Sequence, residues 1–134
     1  MQTTQIQISG PGADEPVWWH SITNSGKEEA RGITLKLGTI EWSTKKTRLL
    51  QTYQWVKLGA GLPATARLPF HKKDFLGFFV TCLTYKGQAA REDEPSFYQL
   101  LDPLSTMTNT VVPPTPATPP EHETLSSGFS CAKL

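Results

Sequence analysis

Three histidines, two cysteines and a few charge clusters are the only residues here with the chemistry for a catalytic or metal site. His20, His71 and His122 each stand alone. No H-x-H, H-x-x-x-H or C-x-x-C spacing exists, so the ligand pairs that a zinc site draws from one strand or helix are missing. Cys82 is flanked by Phe78, Phe79, Val80 and Leu83. That setting suits a small buried hydrophobe, whereas a reactive thiolate needs an electropositive and partly exposed one. There is no G-x-S-x-G elbow, and neither Gly10-Pro11-Gly12 nor Gly59-Ala60-Gly61 precedes a helix that could cradle phosphate. The acidic runs Asp14-Glu15, Glu28-Glu29 and Glu92-Asp93-Glu94 lie beside chain breakers without the D-x-D-x-D-G order of a calcium loop, and read as solvated loop charge. The expectation is therefore a protein with no catalytic residues, no metal site and no cofactor.

Binding is the remaining chemistry. Four Trp and six Phe are many for 134 residues carrying only 19% charged side chains. Trp18 and Trp19 are adjacent, and neighbouring strand residues point to opposite faces, so one of them is directed out of the core. Trp19, Trp42 and Phe78 are the aromatics expected on a solvent-side face, where such patches mark interfaces. The basic clusters Lys45-Lys46-x-Arg48 and His71-Lys72-Lys73 are small, and the formal net charge is +1. A nucleic-acid binder neutralising many phosphates needs a larger cationic surplus, so no strong nucleic-acid signal is present.

The elements that must position these residues are strands. Thr4 to Ile8 alternates apolar and polar with period two, as do residues 17–23, 33–37 and 66–70. Residues 49–58 are rich in Tyr, Trp and Val, residues 75–85 form the most apolar run, and residues 96–101 form the last. Turn signals separate the seven segments every 8–12 residues or so, the spacing of an all-β antiparallel two-sheet sandwich. A small closed barrel uses the same local patterns. No helix-length segment exists for βαβ crossovers. The expected core is Ile6, Ile8, Trp18, Ile22, Ile33, Leu35, Leu37, Trp55, Leu68, Phe70, Phe79, Leu83 and Tyr85. Asn24 and Gly26 are expected to take the positive φ of a tight turn.

Five of the 11 prolines fall in residues 113–120. Proline removes backbone donors and restrains φ, so this stretch is expected to be extended and to form neither helix nor sheet. The division is a sandwich over residues 1–104 and a disordered Pro/Ser/Thr-rich tail over residues 105–134. The tail reads as a linker, and its Pro113-Pro114-Thr115-Pro116 register also suits an aromatic groove. Cys82 and Cys131 are expected as two thiols in a reducing, cytoplasmic setting, since two cysteines make no disulfide framework. No signal-peptide pattern and no apolar run of membrane-spanning length is present.

Three segments carry a resemblance. Residues 21–37, SITNSGKEEARGITLKL, are similar to the V-x-N-x-G-x-x-x-A-x-x-V-x-V-x-V signature of bacterial immunoglobulin-like modules, the adhesion-type and membrane-protein-appended domains. Leu58-Gly59-Ala60-Gly61 resembles their L-x-x-G turn, and residues 79–87 resemble their alternating strand ending in Tyr before a polar turn. The resemblance implies a seven-stranded immunoglobulin-like sandwich over residues ~3–101 and no particular activity. Antibody-type domains bridge their sheets with two cysteines, whereas here only Cys82 lies within the expected domain. The function expected is a non-enzymatic binding or structural accessory module working through protein–protein contacts. The alternatives are a carbohydrate-binding or adhesion module and a virion or other assembly protein.

Overall fold

The computed structural model describes residues 1–10, 12–71, 77–86, 95–99 and 110–134. The expected domain boundary at residue 104, Lys72, Lys73, the acidic run at residues 92–94 and parts of the two last expected strands lie outside them.

Nine strands are present among the described residues: β1 (Gln2–Ser9), β2 (Val17–Thr23), β3 (Ala30–Ile40), β4 (Thr47–Leu58), β5 (Pro63–Pro69), β6 (Phe78–Lys86), β7 (Ser96–Gln99), β8 (Val111–Val112) and β9 (Thr115–Pro116). They are followed by helix α1 (Pro119–Ser126) and a 3-10 turn, Cys131–Lys133. One antiparallel sheet has the order β5-β2-β1-β8 and the other β4-β3-β6-β7-β9. Among the described residues no strand pairing joins the two sheets, so the arrangement is sandwich-like. The seven expected strands fall on β1 to β7.

The period-two reading of β2 holds residue by residue. Trp18, His20 and Ile22 are buried, and Val17, Trp19, Ser21 and Thr23 are only partly so. Trp18 stacks on Phe79 across the sandwich with ring centroids 3.8 Å apart, and Tyr98 meets it edge-on. Ile8, Leu35, Leu37, Ala66 and Phe70 complete this inner cluster. Ile22, Ala30, Ile33 and Leu58 close one end of the sandwich. Of the expected core, Ile6, Trp55, Leu68, Leu83 and Tyr85 are only partly buried and pack at its margin.

Asn24 and Gly26 do not take positive φ. Asn24 instead acts through its buried side chain: Nδ2 donates to the carbonyls of Glu28 (2.7 Å) and Leu58 (2.9 Å), and Oδ1 accepts from the Gly26 N–H (3.0 Å). An amide that satisfies three backbone groups ties the β2–β3 turn to the end of β4.

The expected disordered tail is corrected over residues 110–134. Val111 and Val112 pair with β1, and Thr115 and Pro116 pair with β7, so the segment passes from the edge of one sheet to the edge of the other. Proline is admissible at both places where it occurs in these elements. Pro116 sits on the outermost strand, where a missing N–H breaks no ladder. Pro119 and Pro120 occupy the first turn of α1, whose N–H groups have no partner within the helix. Thr118 and Glu121 form a reciprocal capping box there. These bonds, the backbone one first, hold the Glu121 carboxyl below its usual pKa.

The helix and 3-10 turn lie on the outer face of the second sheet and bury Ile40, Phe78, Val80, Cys82 and Phe97 together with Leu125 and Cys131. Cys82 and Cys131 are joined by a disulfide with Cα atoms 5.8 Å apart. The expectation of two thiols is thereby overturned. The bond joins the central strand of one sheet to its cover, and does not bridge the two sheets as in antibody domains.

Candidate functional site

The three expected contact aromatics do not share a face. Trp19 lies on the outer face of the first sheet, where its Nε1–H donates to Ser9 Oγ (2.9 Å) and the Arg67 guanidinium lies 5.5 Å from the ring centre. Trp42 sits in the turn between β3 and β4 and is 44% exposed. Lys45 Nζ is 4.3 Å above its ring and donates to its carbonyl. Lys45 is the only non-glycine residue with positive φ among those described, and the turn is closed by Glu41–Lys46 and Lys45–Glu41 backbone bonds. Phe78 is corrected from exposed to buried, at 8%. Its parity does direct it out of the sandwich, but the C-terminal segment covers that side. Trp42 touches Phe78 with ring centroids 5.6 Å apart. A sugar platform needs coplanar rings on one face, and these rings supply none.

The histidines also lie apart. His71 Nε2 approaches Glu15 at 3.2 Å on the surface, and His122 meets Phe97 edge-on. His20 is buried on the inner face of β2, opposite Ile6 and Ala66. Its Nε2 is 3.0 Å from Thr3 Oγ1, and its Nδ1 has no hydrogen-bond partner among the described residues. Burial lowers its pKa to about 4, so the ring is neutral at neutral pH. Among the described residues, no three His, Cys, Asp or Glu side chains come together to hold a metal ion. No helix among them is long and apolar enough to cross a membrane.

The feature the sequence reasoning left unassigned is the backbone edge of β4. This strand is outermost in its sheet and spans twelve residues, of which only Leu58 is buried. Val56 is 86% exposed and Leu49 44%. Gln51, Thr52, Tyr53, Gln54, Trp55 and Val56 carry neither charge nor proline, while Arg48 and Lys57 flank them. Such a segment retains the strand propensity and the free N–H and C=O row that pair with another chain. The neighbouring edge of β5 is different. It is bounded by Pro63 and Pro69, and the Tyr53 hydroxyl donates to its Arg67 carbonyl. Among the described residues, β3 alone pairs with β4. The signal was legible as a run of strand formers free of charge and proline, but only the sheet order makes it an edge.

No family model, curated protein or solved structure matches this chain.

Proposed function

We propose that this protein is a non-enzymatic protein-binding module of immunoglobulin-like type, and that it receives a partner's extended segment on the open edge of β4. The β4 edge is the observation that carries the reading. Strand addition draws affinity from main-chain hydrogen bonds and specificity from alternate side chains, and β4 offers both along an uncharged stretch with Val56 exposed. Arg48 and Lys57 at the two ends favour a partner strand with acidic flanks. A second copy paired antiparallel about the centre of β4 would set Arg48 against Lys57, which is unfavourable. The immunoglobulin-like assignment is supported by the sheet membership. The first, second and fifth strands form one layer, and the third, fourth, sixth and seventh the other. It departs from the constant-type order in that the fourth strand pairs with the third and not with the fifth. The disulfide supports residence in an oxidising compartment, where such bonds form and persist.

The test is to select extended peptides from a random library on the immobilised protein and map the winner by hydrogen exchange. Protection confined to residues 47–58, abolished by Val56→Lys with the melting temperature unchanged, is the expected result. Protection centred on Trp19 and Arg67 moves the contact to the first sheet's outer face and ends the edge reading, and so does the absence of any binder.

A further inference from the structure

The outer face of the β4-β3-β6-β7-β9 sheet is apolar down its middle: Ile40, Phe78, Val80 and Phe97 are all buried there. The inner face of the same strands carries a separate set, Leu35, Leu37 and Phe79, packed against Trp18. The sandwich is thus closed on its inner side without using the outer residues. What covers the outer ones is residues 117–134 of the same chain.

That cover is weakly held by its own structure. Helix α1 has eight residues, and an isolated helix under about 12–15 residues is marginal in water. Strands β8 and β9 have two residues each. Leu125 and Cys131 are the buried side chains the helix and turn contribute, with Phe129 and Leu134 partly covered. Open seams run along both sides. A solvent-open cleft of about 170 Å³ lies beside the β3–β4 turn between Lys45, Leu125 and Lys133, and a shallower one of about 420 Å³ lies between Tyr98, Pro116 and His122. Polar ties between the cover and the sheet include the Ala117 N–H donating to the Phe97 carbonyl (2.9 Å) and two long bonds from Lys36 Nζ, to the carbonyls of Cys131 (3.5 Å) and Leu134 (3.4 Å). Against this, the Cys82–Cys131 bond anchors the far end of the cover to the central strand and closes a loop of 49 residues in sequence. A link of that span removes much of the freedom the undocked segment would regain.

We infer that residues 117–134 are a strap which closes over an apolar docking face only when Cys82 and Cys131 are joined, so that the chain has an open dithiol form and a closed disulfide form. Closure transfers two electrons and two protons from the two thiols to an oxidant, here a disulfide of a dithiol oxidoreductase, which leaves reduced. Opening is the reverse, with a dithiol as reductant. Both sulfurs are buried in the closed form, which slows attack by an outside thiolate, so closure acts as a maturation step and not as a rapid switch. The open form presents Ile40, Phe78, Val80 and Phe97 to solvent until the bond forms. This inference does not depend on the β4 edge.

Hydrogen exchange on the full chain before and after treatment with dithiothreitol tests it. Reduction is expected to speed exchange at residues 119–134 at least tenfold and raise binding of an apolar fluorescent dye. β1 to β3 should stay protected, and reoxidation should restore the starting state. Cys131→Ala, which leaves Cys82 as an unpaired thiol, is expected to show the open behaviour without reductant. The inference is overturned if the reduced chain and Cys131→Ala both keep residues 119–134 protected to within a factor of two. Loss of protection across β1 to β3 together with the strap overturns it equally, because the strap would then not be a separable part.

Discussion

The two outer faces of this sandwich are built by the same alternation and end in opposite states. On the first sheet most outward residues are polar or amphipathic, with Val17 and Val111 the apolar exceptions beside Ser9. Ser21 and Thr65 hydroxyls bond at 3.0 Å, Thr4 and Thr23 at 3.2 Å, and Trp19 is held by Ser9 and Arg67. This face is finished by side chains that satisfy one another and can stay in water. On the second sheet the outward residues are Ile40, Phe78, Val80 and Phe97, which cannot, and the chain returns to cover them. A strand buried on one side reads as alternation, whereas one buried on both sides reads as a continuous apolar run. The first five residues of β6, Phe78 to Cys82, are all buried for that reason.

Substitutions that exchange the character of the two faces break the comparison most directly. Val80→Asp puts an unpaired charge beneath the strap, and a loss of about 4 kcal/mol or more is expected in chemical denaturation. Gln5→Asp, on the exposed face of β1, is expected to change stability by about 0.5 kcal/mol or less. Equal effects would show that the second sheet's outer face is not closed.

The inner face is probed by pH. The buried His20 has a folded-state pKa of about 4 against 6.5 when free, so the unfolded chain binds the proton more readily. Its contribution is complete above pH 6.5 and is lost as pH falls from 6.5 to about 4, a decline of about 3 kcal/mol. His20→Leu is expected to flatten the stability profile over that window in a urea series. An unchanged slope would place the titration elsewhere.

Gly38 sharpens the comparison at the point where strand and cover touch. A Cβ there would stand 2.5 Å from the Arg48 carbonyl oxygen and 2.7 Å from Leu134 Cδ1. Gly38→Ala should cost about 1–3 kcal/mol through the displaced backbone, and it should loosen the end of the strap in hydrogen exchange. A small effect is also expected at Trp19, whose ring is partly buried and tied at its edge. Trp19→Ala should lower stability by about 1 kcal/mol or less, read from the melting curve. A loss above about 3 kcal/mol would mean that this face is packed as tightly as the other.

Local pattern was enough for strand placement. The alternation of Trp18, His20 and Ile22 against Trp19 and Ser21 depends on the backbone pleat, and a pleat is the same whatever lies across it. The same reasoning missed the strap although its signals were present. Thr118-Pro119-Pro120-Glu121 is a capping box with proline in the first turn, and the FFVTC run of β6 asks for cover on both sides. Proline content outweighed both, since proline is excluded from helix interiors and central strands but not from the first helical turn or an outermost strand.

The candidate site divides in the same way. That residues 51–56 favour a strand and lack charge is a property of the residues themselves, and so is the absence of metal-ligand spacing around the histidines. Whether that strand lies at an edge, whether Phe78 faces water or the strap, and whether Cys82 meets Cys131 across 49 residues depend on contacts between distant segments. Such contacts leave no periodic trace, because neither partner's neighbours need to change for the pair to form. Side-chain parity was therefore written in the sequence, and what stands against each face was settled only when the chain had folded back upon itself.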